Sequence, residues 1–338
     1  MKEIIAAIQA GKHLDRSTAR EVFDRVMSGQ VPAAELGALL CALHNKGETV
    51  DELIGAAEAM RAAAVRIRCE CPCLCTCGTG GDGISTFNVS TTSAIIAAAA
   101  GAVVAKHGNR TNTRVSGSAE VLSALGVNID ADVATVEACL RDIGLAFLYA
   151  RNLHPAMKHA AVVRQTLRAR TIFNLLGPLC NPAGATRQVL GVSRPDHLEL
   201  MAGALRELGC ERAWVVHSRD GLCDLSITGT TEVCELRAGG LRRFVLSPAD
   251  AGLAESPLAA LLVGSTAESA EAVRDILAGK EGPRRDHALL NAGAALVVAG
   301  LNEDIRAGVA RAAKAVDSGA ALGKLDSLAE RTSSSSSN

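Results

Sequence analysis

Residues 78–110 read GTGGDGISTFNVSTTSAIIAAAAGAVVAKHGNR, and this stretch decides the class of fold. A glycine-rich turn opens it, an Ala- and Ile-rich helix follows over Ser90–Ala100, and the β-branched run Val103–Ala105 leads into a basic loop. Working outward, short runs such as Gln188–Val192 and Ala213–His217 alternate with helical stretches at Ser118–Leu125 and His197–Leu208. That alternation predicts βαβ units and a mostly parallel sheet. Residues 231–246 break it, reading as a β-hairpin around Gly239-Gly240.

Before residue 65 no strand signal appears. Ile4, Ile5 and Ile8 recur at helical spacing up to Gly11, Ser17–Met27 follows with Asp15 or Ser17 as cap, and Ala33–Leu43 and Val50–Met60 repeat the pattern with Thr49 as N-cap. Ser269–Gly319 returns to helix. The fold class expected is α/β, with a small all-helical domain over 1–66, a larger α/β domain over 67–330 and a disordered low-complexity tail over 331–338. A length of 338 residues suits two domains.

Two loops carry the chemistry. Gly78-Thr79-Gly80-Gly81-Asp82-Gly83 lets backbone N–H groups approach an anion closely, and the helix start at Asn88–Ser93 adds further donors and the positive end of a dipole. The spacing fits neither a Walker A loop nor a dinucleotide fingerprint, and a tight strand-to-helix turn with no ligand is the alternative. Lys106-His107-Gly108-Asn109-Arg110, running on to Ser116-Gly117-Ser118, places cations, an amide and hydroxyls at the C-terminal end of a buried strand, where α/β folds bind ligands. Together the loops favour a polyphosphate site over a merely solvated edge.

Composition narrows the field. Lys+Arg number 35 against 36 Asp+Glu, a net charge of −1, which disfavours a nucleic-acid or anionic-membrane partner. Only seven aromatics, one Trp, one Tyr and five Phe, are present to stack on bases. The longest apolar run, Ala94–Ala105, stops at Lys106, short of the ~20 residues a bilayer needs. Eleven cysteines with no export signal at Met1–Ile5 suggest reduced thiols in a cytoplasm.

These motifs, with Lys46-Gly47-Glu48-Thr49, Asn88-Val89-Ser90-Thr91, His154-Pro155-Ala156-Met157, Arg164-Gln165 and the run from Arg170-Thr171-Ile172-Phe173-Asn174 to Asn181-Pro182, make the chain resemble the anthranilate phosphoribosyltransferases from about residue 3 to 325. The resemblance implies transfer of the phosphoribosyl group of phosphoribosyl pyrophosphate (PRPP) to anthranilate in tryptophan biosynthesis, with Mg²⁺, in a homodimer formed through a helical domain that also takes in a segment near 155–175. It implies that Gly78, Gly81, Asp82, Thr86, Asn88, Val89, Ser90, Thr91, Lys106, His107, Gly108, Asn109, Arg110, Thr113, Arg114 and Ser118 hold PRPP. Gly78, Asn109 and Arg164 would face anthranilate, with His107 and His154 lining the pocket and Arg164 taking the carboxylate. Ser90 and Asp224 would hold metal, and no proton-transfer residue is implied, since an aromatic amine is already neutral and nucleophilic at pH 7.

The chain departs from the family in three places. Cys223-Asp224 stands where an Asp-Glu pair is usual; a soft thiol is a poor Mg²⁺ ligand, so one metal site is weakened or moved, with Asp220 as the nearest substitute. Arg114-Val115 replaces a hydroxyl followed by a cation. In Cys69, Cys71, Cys73, Cys75 and Cys77, Cys75 takes an Asp position; alternating thiols leading into a strand read as small buried residues, with metal capture or redox sensitivity as the alternative. A pyrimidine nucleoside phosphorylase, a paralogue using another aromatic amine and a non-enzymatic nucleic-acid binder are the competing readings.

Overall fold

The computed structural model describes residues 1–111 and 115–333. Four helices lead: α1 (Lys2–Gln9), α2 (Arg16–Met27), α3 (Ala33–Lys46) and α4 (Val50–Ala62). Alternation follows through β1 (Leu74–Gly78), α5 (Val89–Ala99), β2 (Val104–Gly108), α6 (Ser118–Ala124), α7 (Val133–Ile143), β3 (Leu145–Tyr149), α8 (Ala150–Leu153), α9 (Lys158–Leu167), α10 (Phe173–Leu179), β4 (Arg187–Gly191), α11 (His197–Glu207) and β5 (Arg212–Ser218). The hairpin β6 (Thr231–Arg237) and β7 (Gly240–Leu246) precedes α12 (Thr266–Leu277), α13 (Pro283–Val298), α14 (Ile305–Asp317) and α15 (Ala320–Ser333).

The seven strands form one sheet in the order β3-β2-β1-β4-β5-β6-β7; the first five are parallel and β6 and β7 antiparallel. From β1 the chain winds outward to β2 and β3, then returns across β1 to place β4 on its other side. The reversal puts a crevice beyond the carboxyl ends of β1 and β4, the place where open α/β sheets take ligands.

Period-two alternation sends successive strand residues into two different cores. Leu190, Ala213, Val215 and Leu236 join the side chains of α1–α4, α9, α10 and α11. Val189, Trp214, Val216 and Val233 join α5, α7 and α12–α15 on the opposite face. The helical layer is pinned at Glu52, which is fully buried. Its carboxylate accepts from the Thr49 and Leu14 backbone N–H groups, each at 2.9 Å, and from Lys46 Nζ at 2.9 Å. With Thr49 Oγ1 accepting from the Glu52 N–H this closes a capping box on α4.

Three sequence expectations need correction. Lys106 and His107 are strand residues of β2, paired with Phe147 and Leu148, instead of lying in a loop after it. Helix α15 runs to Ser333, into the stretch 331–338 expected to be disordered, because Leu325, Leu328 and Thr332 bury on one face and Thr332 Oγ1 accepts the Asn128 N–H. The rest of that stretch, 334–338, lies outside the described residues. Finally, the hairpin turn is Ala238-Gly239, both at positive φ, with Gly240 already in β7. Among the described residues no helix is long and apolar enough to cross a membrane.

Candidate active site

The crevice is built from loop peptides first. Gly78 ends β1 opposite Gly191, and the Thr79 N–H donates to the Gly191 carbonyl at 2.8 Å. Gly80, Gly81 and Gly83 all sit at positive φ, a conformation side chains resist, so the turn curls tightly. Asp82 braces it: Oδ2 accepts the Cys223 N–H at 3.2 Å and Oδ1 the Ile84 N–H at 3.4 Å. Beyond, Thr86 bridges Leu262, and Asn88 caps α5 by accepting the Thr91 N–H at 3.2 Å. Val89 is buried, and the Ser90 carbonyl accepts from Thr76 Oγ1 at 2.7 Å, fixing the first turn of α5 beside β1. Thr86 Oγ1 and Thr91 Oγ1 are buried without a partner among the described residues.

The second loop follows β2. Gly108 lies so close to Ser118 that a Cβ would stand 2.6 Å from its Oγ, and the Asn109 carbonyl accepts the Ala119 N–H at 3.4 Å. Arg110 Nε donates to Tyr149 Oη at 3.1 Å. Thr113 and Arg114 lie outside the described residues. Lys106 is buried, and its Nζ donates to the His107 carbonyl at 3.3 Å. No carboxylate lies within ion-pairing distance of it among the described residues. Behind it Cys75 is lowered to about 6, first by a hydrogen bond from Cys77 and further by the Lys106 charge, against the opposing effect of burial. Cys77 is correspondingly raised.

His107 and His154 stack obliquely with ring centres 5.1 Å apart. Burial lowers them to about 3 and about 4, so both are neutral at pH 7, and His107 Nε2 and both His154 nitrogens lack a partner among the described residues. On α9, Arg164 stacks over the Phe173 ring at 5.4 Å. Burial lowers its pKa, and no carboxylate among the described residues pairs with it.

Ser90, Cys223 and Asp224 line one small cavity with Thr76, Cys77 and Asn291. A hydroxyl and a carboxylate are hard donors that suit Mg²⁺ completed by water and substrate oxygens. Cys223 has another use: it is buried, its N–H is engaged by Asp82, and its Sγ lies 3.9 Å from the Gly80 carbonyl, so it packs the glycine turn. Asp220 does not substitute, being held by Ser226, Thr228 and the Leu222 N–H. Of the cysteine run only Cys75 and Cys77 lie in β1, and among the described residues no three His, Cys, Asp or Glu side chains are arranged to hold a metal. Sequence reading gave no role to Tyr149, or to Arg170, whose Nη1 donates to the carbonyls of Gly80 and Gly81. The signal for Arg170 was its place at the head of the motif at 170–174.

Known proteins share this arrangement. Residues 71–322 match the model of the glycosyl transferase family a/b domain, and residues 2–64 that of the same family's helical bundle domain. The anthranilate phosphoribosyltransferase of Anaeromyxobacter sp. (strain K) is 50% identical over 333 residues, 98% of each chain. The chain belongs to the anthranilate phosphoribosyltransferases. That of Beijerinckia indica is 49% identical over 97% of this chain and 96% of its own. The crystal structure of the Thermus thermophilus member superposes with a TM-score of 0.92 at 41% identity, covering 97% of this chain and 99% of that one. The family member from Saccharomyces cerevisiae in complex with PRPP and Mg gives 0.87 at 26% identity, covering 95% and 94%.

Proposed function

We propose that this chain transfers the phosphoribosyl group of PRPP to the amine of anthranilate, releasing pyrophosphate, as a step in tryptophan biosynthesis. One observation carries the reading: Lys106, buried near the end of β2 where the second loop begins, and Arg164, partly buried on α9, are paired with no carboxylate among the described residues. Such cations are costly unless an anion arrives. Two anionic substrates, a diphosphate and an aromatic carboxylate, account for both.

The reaction breaks the bond from the anomeric carbon to pyrophosphate while the amine lone pair forms the new C–N bond, and the surplus amine proton leaves to solvent. Its barrier lies in separating charge, so fixed donors do most of the catalysis. Lys106 and the peptide N–H groups of the Gly78–Gly83 turn meet the diphosphate, with Arg110 and Asn109 from the second loop. Arg164 takes the anthranilate carboxylate, and the neutral His107 and His154 give the ring an uncharged wall. Ser90 and Asp224 would hold magnesium; once bound, it neutralises the departing pyrophosphate. A homodimer through the helical layer and a cytoplasmic location belong to the same proposal.

Adding PRPP and Mg²⁺ to protein with anthranilate should deplete anthranilate fluorescence; unchanged emission overturns the reading. Arg164→Ala should raise the anthranilate KM by about 10- to 100-fold, the loss of a hydrogen bond to a charged group, with little change for PRPP. Equal effects on both would remove its assigned role.

A further inference from the structure

The glycine turn does not fix its peptides alone. Gly80, Gly81 and Gly83 all lie at positive φ, and with no side chains between Thr79 and Asp82 the peptide planes are set by neighbours: the Gly80 carbonyl accepts from Thr79 Oγ1 at 3.3 Å and lies 3.9 Å from Cys223 Sγ. Arg170, from a distant part of the chain, engages the carbonyls of both Gly80 and Gly81. Arg170 follows the left-handed residue Arg168 that ends α9, and the next residue is pinned by the Thr171 N–H donating to Asn174 Oδ1 at 2.9 Å. From there its Nη1 reaches the carbonyls of Gly80, at 3.4 Å, and Gly81, at 3.2 Å. The fit is close: a Cβ on Gly81 would lie 2.3 Å from Nη1.

In a trans peptide the N–H points opposite to the C=O. Holding the carbonyls of Gly80 and Gly81 on the Arg170 side therefore turns the N–H groups of the same peptides, those of Gly81 and Asp82, to the other side of the turn. Nη2 of Arg170 is buried with no acceptor among the described residues. A contact selected for stability alone would not leave a charged donor unsatisfied, at a cost of about 1–3 kcal/mol.

We propose that Arg170 is the positioning residue of the diphosphate loop, clamping two glycine carbonyls so that their N–H edges meet the leaving group. The inference rests on the PRPP reading above. In the wild-type protein, PRPP turnover and heat of PRPP binding test that reading first. Arg170→Gln and Arg170→Lys then test the clamp, after circular dichroism and a thermal melt show which variants fold. Both should raise the PRPP KM by about 10- to 100-fold, the range for losing charge-assisted hydrogen bonds, while the anthranilate KM stays within about threefold. The Lys variant matters because a point charge cannot reproduce the planar guanidinium; it carries the test if the Gln variant does not fold. Hydrogen exchange of the peptide spanning 78–84 should accelerate in either variant. A PRPP KM near the wild-type value, equal changes in both KM values, or unchanged exchange in the loop overturns the proposal while leaving the assigned reaction intact.

Discussion

Cys75 illustrates how one side chain changes the chemistry of a site. It sits on β1 beside the buried Lys106, and its thiol is lowered to about 6 by the Cys77 hydrogen bond and by that lysine. The Lys106 charge favours the ionised form, so Cys75 ionises more readily than an ordinary cysteine. The thiolate absorbance near 240 nm should rise as pH passes through about 6, and Cys75→Ser should lose that step. An identical titration in the variant would sink the assignment. From sequence alone the five alternating cysteines read as small buried residues, which holds for Cys73 and Cys75 but not for the exposed Cys71. Their electrostatics were illegible because they depend on Lys106, a neighbour across strands that composition does not reveal.

Elements with local signals were legible. Thr49 caps α4 as expected, with Glu52 three residues on completing a capping box, and the Ile4, Ile5 and Ile8 spacing gives α1. β3 was not singled out because LAFLY is a short apolar run that fits a buried helix turn equally well. β2 was cut short at Ala105 because Lys106 and His107 are unfavourable strand-interior residues by burial; the conflict marks the site. The crossing of α13 and α14 also lay beyond sequence reading. There Gly308 and Gly293 let two backbones touch, and a Cβ on Gly308 would lie 2.5 Å from the Gly293 carbonyl oxygen. Gly308→Ala should destabilise the protein by about 1–3 kcal/mol through overpacking, read as a lower urea midpoint. An unchanged midpoint would show that the helices part without cost.

For the molecule as a whole, the arrangement of its buried histidines sets a pH response. His107 is lowered to about 3, and His154 and His287 to about 4, in each case chiefly by burial. The unfolded chain takes up these protons near the ordinary value of ~6.5, so the folded state binds fewer protons below that pH. Stability is therefore full above about pH 6.5 and lost as pH falls toward 4, by up to about 1.4 kcal/mol per pH unit for each group. His287 packs edge-on against Phe87, and His287→Leu should flatten part of that decline in chemical denaturation at pH 5 and 7. An equally steep decline would contradict it.

The fold class and both loops were legible because they are contiguous; the clamp by Arg170 and the packing of Cys223 were not, because they join residues 89 and 143 positions from the glycines they hold. The central claim is that these loops and Lys106 grip the diphosphate of PRPP. Calorimetric titration of PRPP with Mg²⁺ into wild-type protein and into Lys106→Met, which keeps the buried stem and removes the charge, tests it most directly. Saturable heat in the wild type, with affinity reduced by at least about tenfold in the variant, is the expected result; no heat in the wild type, or equal affinity in both, would contradict it.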